Sequence, residues 1–271
     1  PMLCGRGRGL QHVISRLRKQ ASAATVVWVE TKMDGERIQA HWRGTGECRI
    51  FSKSGRDSTA QRAAVIPALG EALGDTECIV EGELLVWNEE RKSIEPFGTV
   101  QGGFGPDCHL MVILWDLLWL RGVSLLSQPL VERRAQLESI VTVKQNWVEM
   151  SPIEIIDLES EAEATARLAD LYAACVTHRQ EGLVLKPAQS LYLPNNRGCW
   201  LKLKRDYIEG FGDSLDMACV GVSYGPQAGG LLDHLLLACP LDTNVRFPSF
   251  RLCLTVSMGL TKEESVLLNE R

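Results

Sequence analysis

The amino-acid sequence predicts an α+β fold with mostly antiparallel sheets. Short stretches rich in β-branched and aromatic residues recur along the chain, and apolar residues recur at helical spacing in residues 10–17, 128–141 and 159–178. Strands and helices combined in this way are typical of the α+β class. With 271 residues, 45% of them apolar, the chain can bury one large core or two smaller ones.

The first forty residues contain three kinds of pattern. Residues 1–9 are rich in glycine and arginine, which predicts an irregular segment. Residues 10–17 carry apolar side chains at helical spacing, with basic residues at the polar positions. Residues 25–43 are typical of extended structure on either side of Asp34-Gly35, a dipeptide that favours a tight turn.

The middle of the chain predicts several strands and two further helices. The run at 110–120 is interrupted only by Asp116 and is too short to cross a membrane, so we expect a buried strand. Residues 128–141 and 159–178 are rich in good helix formers. Strands are also expected at residues 78–87, 182–186 and 200–204.

The end of the chain predicts a second, smaller domain. Gly210, Gly212 and Asp213 interrupt the pattern, and strand-like stretches follow at 215–224 and 231–239 with a glycine turn between them. We expect one domain over residues 1–212 and the first strands of a small β-domain over residues 213–271.

Charge and cysteine usage exclude several classes of protein. A formal charge of −5 and a pI of about 5.7 argue against holding nucleic acid by bulk positive charge. The nine cysteines form no C-x-x-C pair, so we expect small core residues in a reducing compartment rather than a zinc or redox site. The sequence has no apolar run of membrane-spanning length, and we expect a soluble intracellular protein.

The sharpest motif is residues 32–37, KMDGER, which places Lys32 at the end of an apolar strand. A lysine amine is a nucleophile only when deprotonated, and burial, neighbouring positive charge or a bound metal favour that form. The Asp34-Gly35 turn leaves room for a ligand beside the backbone, and Arg37 could clamp a polar group on it. An ordinary β-hairpin explains this motif about as well when it is taken alone.

Three more motifs supply side chains that a nucleotide site needs. In residues 81–83 (EGE), one glutamate of the strand would face inward and could bind a ribose hydroxyl or Mg²⁺; an edge-strand surface pair is the alternative. Trp115 offers an aromatic plane for a base, although packing in the core explains it too. Residues 181–186 (EGLVLK) place Glu181 before a short strand and Lys186 at its end, unless both are solvated charges.

Residues 200–204, WLKLK, predict a cationic clamp. Alternation along a strand sends Lys202 and Lys204 to the same face, where two ammonium groups repel each other unless an anion lies between them. A triphosphate is such an anion, and clamps of this kind stabilise the charge that develops in phosphoryl transfer. If that face is exposed to solvent, the two lysines merely protect a sheet edge.

The order of these motifs resembles that of the covalent nucleotidyltransferases, the superfamily of ATP-dependent DNA ligases, RNA ligases and mRNA capping enzymes. Residues 51–55 (FSKSG) add a sixth motif, and the resemblance extends over essentially the whole chain. Within the superfamily the chain is similar to ATP-dependent DNA ligases, in particular to their eukaryotic type IV branch. Residues 30–37, 192–200 and 220–225 carry that similarity.

The resemblance implies that Lys32 attacks ATP to form a lysyl-AMP intermediate, which passes AMP to a DNA 5′-phosphate before the strand is sealed. It further implies adenine contacts for Glu30 and Thr31, and a base stacked between Trp115 and Val184. The ribose would be held by Arg37 and Glu83, with Mg²⁺ on Glu83 and Glu181. The remaining contacts would come from Lys53, Lys186, Lys202 and Lys204 to the phosphates and from Asp34 beside Lys32.

The same resemblance implies an adenylation domain over residues 1–212 and the start of an OB-fold domain after it. Nicked or broken double-stranded DNA would be the substrate, in end joining in the nucleus, with repair scaffold proteins bound through regions outside this chain. Two departures from the family pattern are Lys53, where an arginine is usual, and Trp115, where Phe or Tyr is usual.

A further basic motif of the family's OB-fold domain is not found, so we expect an incomplete OB fold, ATP binding and slow self-adenylation. The alternatives are an RNA ligase, a capping-type enzyme, a non-catalytic relative that serves as an interaction module, or an unrelated binding module.

Overall fold

The computed structural model describes residues 1–20, 25–96, 98–207, 217–224, 232–241 and 249–256, together with residues 263 and 269. The chain divides into two compact units, residues 1–212 and 213–271. The predicted boundary near residue 212 lies outside the described residues. Among the helices of the described residues, none is long and apolar enough to cross a membrane.

The first unit combines two sheets with helices. Its strands are β1 (Cys4–Arg6), β2 (Val26–Thr31), β3 (Glu36–Trp42), β4 (Cys48–Ser52), β5 (Cys78–Asn88), β6 (Ser93–Ile94), β7 (Cys108–Leu120), β8 (Val123–Ser124), β9 (Val148–Met150), β10 (Glu154–Asp157), β11 (Gly182–Pro187) and β12 (Trp200–Lys204). Its α-helices are α1 (Leu10–Gln20), α2 (Ile66–Leu73), α3 (Thr99–Gly102), α4 (Leu130–Ile140) and α5 (Glu161–Thr177).

One sheet, called the first sheet below, has the strand order β1-β12-β11-β2-β10. Its pairings are antiparallel except that β1 runs parallel to β12. Helix α1 buries Val13, Ile14 and Leu17 in a core beneath this sheet. Helix α5 packs beside α1; it begins after Ser160, whose side chain accepts a hydrogen bond from the Glu163 amide at 3.3 Å, a cap that stabilises the first turn.

The other sheet, called the second sheet below, has the order β4-β3-β5-β7-β8, with β6 beside β5 and β9 beside β7. Its larger core is formed by residues of β3, β5 and β7 packed against α2 and α4. The long pair β5–β7 contains a β-bulge, because Glu81 pairs with Asp116 whereas Gly82 pairs with Leu114. Trp115 is therefore the extra residue of the bulge, a feature that redirects side chains near functional sites.

The second unit, as far as it is described, is an antiparallel sheet of β13 (Ala218–Tyr224), β14 (Leu232–Pro240) and β15 (Phe250–Val256). Two of these strands agree with the predicted strand-like stretches. The predicted glycine turn at 225–230 lies outside the described residues. The incomplete OB fold remains a prediction for this unit.

The mixed fold with largely antiparallel sheets is confirmed, one local prediction was wrong, and one alternative that the sequence left open is excluded. The segment 1–9 is not wholly irregular, because β1 pairs with β12 almost two hundred residues later. The stretches around Asp34-Gly35 do not form a hairpin, since β2 belongs to the first sheet and β3 to the second. The motif therefore connects two sheets, and Lys32 lies where the chain leaves the first of them.

Candidate active site

A cleft of about 500 Å³ in the first unit has the size of a small-molecule site. Its walls come from strands of both sheets, chiefly β2, β11 and β12 of the first and β3, β5 and β7 of the second. All of the side chains that the sequence analysis singled out line it: Glu30, Thr31, Lys32, Asp34, Arg37, Lys53, Glu83, Trp115, Glu181, Val184, Lys186, Lys202 and Lys204.

Lys32 follows the end of β2 and lies directly against Glu181. The Lys32 amide donates a hydrogen bond to the Gly182 carbonyl at 2.8 Å, which brings the residue before β11 next to the lysine side chain. The Glu181 carboxylate contacts Lys32 through Oε2 and Lys204 through Oε1. We expected positive charge around Lys32; its closest charged partner is instead a carboxylate that it shares with a second lysine.

The other end of the cleft holds a buried ion pair between Glu30 and Lys186, each about 4% exposed. Both Glu30 oxygens lie 2.8 Å from Lys186 Nζ, and Oε2 also accepts a hydrogen bond from Ser151 Oγ at 2.9 Å. Oε1 has no aligned hydrogen-bond donor among the described residues. A buried acceptor of this kind is costly unless a ligand supplies a donor.

Two tryptophans flank the Lys186 ammonium. Its Nζ lies 5.2 Å from the ring centre of Trp115 and 4.6 Å from that of Trp200, within the range of cation–π attraction. The indole Nε1 of Trp115 is buried without a hydrogen-bond acceptor in the described part of the chain. The Lys186 ammonium lies against Glu30 and near both rings while it lines the cleft, and its predicted phosphate contact stays a prediction.

Arg37 is held from behind by a buried polar network. Its Nη2 donates to Glu81 Oε2 at 2.7 Å and its Nη1 to the Met2 carbonyl at 2.6 Å. The Tyr192 hydroxyl donates to the other Glu81 oxygen at 2.8 Å, and Gln39 Nε2 donates to the same atom at 3.2 Å. Burial acts to lower the pKa of Arg37, but Glu81 outweighs it and the net pKa is raised, so the guanidinium is charged.

Glu83 is a poorly solvated carboxyl in the same cleft. Burial raises its pKa to about 7, against the opposing effect of Lys32 and Arg37, and the neighbouring Glu181 raises it further. Burial followed by the charge of Glu181 also raises the pKa of Asp34. Glu83, Glu181 and Asp34 therefore concentrate negative charge beside Lys32, which a cation could relieve.

Gly35 is required by packing and not by a ligand, which corrects the expectation of free space beside this turn. A Cβ atom at residue 35 would lie 2.4 Å from the Leu84 carbonyl oxygen and 2.6 Å from Leu85 Cδ2. The close approach of the chain to β5 explains the glycine, and it draws the segment after Lys32 against the strand that carries Glu83.

The carboxylates fit Mg²⁺ only in partnership with a phosphate. Within the described residues no three His, Cys, Asp or Glu side chains are grouped closely enough to hold a metal by themselves. Mg²⁺ in nucleotide sites is usually bound by one or two carboxylates while phosphate oxygens and water complete the shell. Glu83 and Glu181 both line the cleft and are the candidates for such a pair.

Some residues of the cleft were missed by the sequence analysis. Ser151, which orients Glu30, precedes β10 in a segment without a motif, and Arg197 was noted only as part of a similar stretch. Cys4 lines the cleft because β1 pairs with β12, and burial raises the pKa of its thiol against the effect of nearby lysines and Arg37. Only the long-range pairing of strands could have revealed these positions.

Comparison with known proteins identifies relatives of this arrangement. Residues 1–204 match the model of the ATP dependent DNA ligase domain. The chain is 31% identical over 250 residues to DNA ligase 4 of Dictyostelium discoideum, covering 84% of this chain and 22% of that protein. It is 34% identical over 282 residues to DNA ligase of Aeropyrum pernix, covering 100% of this chain and 44% of that protein. The chain thus spans less than half the length of these relatives.

The fold is also similar to that of solved structures. A structure of mycobacterial DNA ligase D complexed with ATP and MES matches with a TM-score of 0.59 and 24% sequence identity, over 100% of this chain and 76% of that one. The ligase domain of M. tuberculosis LigD matches over the same shares with a TM-score of 0.57 and 24% identity. At 24% identity these two matches support a similarity of fold only.

Proposed function

This chain belongs to the family of ATP-dependent DNA ligases, and on that basis we propose that it forms a covalent AMP adduct on Lys32. The single observation that supports the proposal best is that thirteen side chains chosen from six separated motifs line one cleft with Lys32 among them. An RNA ligase, a capping-type enzyme or an unrelated binding module is not favoured, since the family model describes a DNA ligase domain.

In the proposed first step, Lys32 Nζ attacks the α-phosphorus of ATP. A phosphorus–nitrogen bond forms, the bond from the α-phosphorus to the bridging oxygen breaks, and pyrophosphate leaves with the electron pair of that bond. The amine must lose its proton for this attack. Because Glu181 contacts Lys32 and Lys204 together, entry of a triphosphate would have to separate these charges.

In the two later steps the adenylyl group passes to DNA. An oxygen of a DNA 5′-phosphate attacks the α-phosphorus, the phosphorus–nitrogen bond breaks, and the Lys32 amine is regained. A 3′-hydroxyl then attacks the 5′-phosphorus, a phosphodiester bond forms and AMP leaves. We propose nicked or broken double-stranded DNA as the substrate of this chemistry.

The base would occupy the end of the cleft that holds Glu30 and Lys186. Glu30 Oε1 contacts the Lys186 ammonium but has no aligned hydrogen-bond donor among the described residues, and an adenine amino group would supply one, which favours ATP over GTP. We propose that Thr31 lines the base edge and that the base is stacked between Trp115 and Val184. Lys186, which pairs with Glu30 in the absence of ligand, is proposed to contact a phosphate once ATP is bound.

The ribose and phosphates would then extend toward Lys32. Arg37 and Glu83 are proposed to bind the ribose, and the network behind Arg37 supports a fixed guanidinium there. Lys53, Lys202 and Lys204 would contact phosphates, with Asp34 beside the reacting amine. Bound to Glu83 and Glu181, Mg²⁺ would supply charge neutralisation for the phosphate oxygens.

We further propose a type IV role, in joining DNA double-strand breaks in the nucleus, with scaffold proteins bound elsewhere in a longer protein. Its support is the similarity to DNA ligase 4 of D. discoideum together with the type IV-like motifs. Joining of blunt or cohesive ends by the longer protein, compared with sealing of single nicks, tests this role. Exclusive activity on nicks would count against it.

The adduct itself is tested by intact-mass measurement after incubation with ATP and Mg²⁺. We expect a mass increase of one adenylyl group in the wild type and none in Lys32→Ala, with Lys144→Ala as a matched control outside the cleft. An adduct that persists in Lys32→Ala would place the nucleophile elsewhere. A wild type that binds ATP and forms no adduct would favour the non-catalytic relative.

A further inference from the structure

We infer that the outer edge of β1, the last strand on its side of the first sheet in the described residues, and the adjacent face of α1 bind the phosphodiester backbone of DNA outside the nucleotide cleft. This inference rests on the proposed function, since it assigns a second contact surface to the same substrate. The first observation is the uneven distribution of charged residues along the sequence. Residues 1–20 contain five arginines and lysines and no acidic residue, whereas the whole chain carries −5, so the remainder carries −10.

Three of these basic residues, Arg8, Arg16 and Lys19, lie in one line with His12. The Arg8 amide donates a hydrogen bond to His12 Nδ1 at 3.2 Å, and Arg16 lies one helical turn beyond His12 on the same face of α1. Lys19 follows at the next helical spacing. The order Arg8, His12, Arg16, Lys19 therefore gives a basic stripe along the exposed side of the helix, which we call the α1 stripe.

The α1 stripe meets the cleft at Gly5. A Cβ atom at residue 5 would lie 3.2 Å from Arg16 Nη2 and 2.6 Å from the Arg197 carbonyl oxygen. The absence of a side chain there lets the Arg16 guanidinium lie against the β1 backbone beside residue 197. Arg197 also lines the cleft, so positive charge continues from the cleft across the edge of the first sheet to α1.

Acidic partners within the described residues account for only part of this charge. Arg18 is different, because it donates to the Leu158 and Glu159 carbonyls and lies 3.9 Å from Glu161, which gives it a structural role. In the part of the chain that the structure describes, Arg8, Arg16, Lys19 and Arg197 have no carboxylate within ion-pair distance. Like charges placed along one helix face repel each other, and a line of anions would relieve that repulsion.

A DNA strand fits this surface better than an acidic protein segment does. Its charges are regularly spaced along a line, as the α1 stripe requires, and arginine binds phosphate through two parallel hydrogen bonds. The stripe also joins the cleft in which AMP would be passed to a DNA 5′-phosphate, so one strand could contact both. An acidic peptide does not need to contact both the α1 stripe and the cleft, so the connection between them favours DNA.

The test is the salt dependence of DNA binding by the chain. Fluorescence anisotropy with a labelled nicked duplex, measured over a range of KCl concentrations, gives the slope of log Kd against log salt. Each phosphate contact contributes about 0.9 to that slope. We expect the double variant Arg8→Gln, Arg16→Gln to reduce the slope by about 2 and the matched control Arg121→Gln to leave it unchanged. Lysyl-AMP formation should be unaffected in both, because none of these residues lines the cleft.

An unchanged slope in the double variant would overturn the inference, and so would a wild type that shows no DNA binding at low salt. Binding of labelled poly-glutamate, measured in the same way, tests the alternative that the surface binds an acidic protein segment. If its affinity falls in the double variant while the DNA slope does not, the surface takes an acidic protein segment and the inference is wrong. Failure of the proposed function is separate, since loss of lysyl-AMP formation in the wild type would not alter the DNA slopes.

Discussion

Lys32 and Glu181 lie in contact in the cleft, and Glu181 bridges Lys32 to Lys204 through its second oxygen. The bridge forms because the Lys32 amide bonds to the Gly182 carbonyl, which fixes the start of β11 beside the end of β2. The Glu181 carboxylate thereby lies between the Lys32 and Lys204 ammonium groups. A phosphate of bound ATP would place negative charge at the same position.

Substitution Glu181→Gln should therefore have opposite effects on binding and on chemistry. Without the carboxylate both lysines can meet the triphosphate, and partly exposed pairs of this kind contribute about 0.2–1 kcal/mol each, so ATP should bind several-fold more tightly in EDTA. Formation of lysyl-AMP with Mg²⁺ should slow at least about tenfold, since a metal carboxylate is lost. Calorimetry and a time course of intact mass measure the two effects.

The control for this substitution is Glu36→Gln, which breaks a carboxylate pair with Arg62 outside the cleft. It should change neither ATP affinity nor adduct formation. Weaker ATP binding by Glu181→Gln in EDTA would contradict the counter-charge role of the bridge.

Trp115→Ala should weaken ATP binding by about 1–3 kcal/mol, the range for stacking of a base on an aromatic ring. The β-bulge at Trp115 and its place in the cleft are the reasons for this expectation. Trp115→Phe keeps a stacking plane and should retain most of the affinity, which calorimetry can measure. A dissociation constant that is the same in Trp115→Ala and the wild type would assign the ring to packing alone.

The sequence predicts the features of this site that depend on neighbouring residues, and it does not predict those that depend on residues far apart in the chain. Alternation within β12 is a local property, and it correctly brought Lys202 and Lys204 to one cleft. Asp34-Gly35 shows the limit of local signals, because the same dipeptide serves a hairpin or a connection between two sheets. The difference lies in what the strands pair with, and β3 pairs with β5, from Trp42 opposite Cys78 to Glu36 opposite Leu84.

Contacts between distant side chains were not predictable from the sequence. The pairing of Lys186 with Glu30 depends on the register of β11 against β2, in which Lys186 lies opposite Trp28 and Val184 opposite Glu30. A lysine at a strand end suggested a phosphate contact, and only the tertiary structure shows its ammonium near two indole rings. For the same reason the contacts that Glu81 and Tyr192 make behind Arg37 were not expected.

Glu81→Ala should destabilise the fold by roughly 3–5 kcal/mol, because it leaves the Arg37 guanidinium buried without its carboxylate partner. Glu81→Gln retains a neutral acceptor for Arg37 and Tyr192 and should cost clearly less. Chemical denaturation of both variants measures the difference. Equal stabilities for the Ala and Gln variants would show that the charge of Glu81 does not hold Arg37 in place.

The pH dependence of stability should carry a contribution from Glu83. Its ordinary pKa is 4.5, and burial raises the pKa to about 7 in the folded chain. As the pH rises through this window, the unfolded chain loses the Glu83 proton while the folded chain keeps it. The free energy of unfolding should therefore fall by up to about 3 kcal/mol between pH 4.5 and 7, since one pKa unit corresponds to about 1.4 kcal/mol.

Glu83→Gln removes this titration and leaves the other ionisable groups in place. Denaturation curves at pH 5, 6, 7 and 8 should show the variant gaining stability relative to the wild type as the pH increases, with the difference levelling above pH 7. Loss of the same proton would favour metal-dependent ATP binding above pH 7, where Glu83 is a carboxylate. A stability difference that is constant from pH 5 to 8 would mean that Glu83 is ionised throughout and that the cleft solvates its charge.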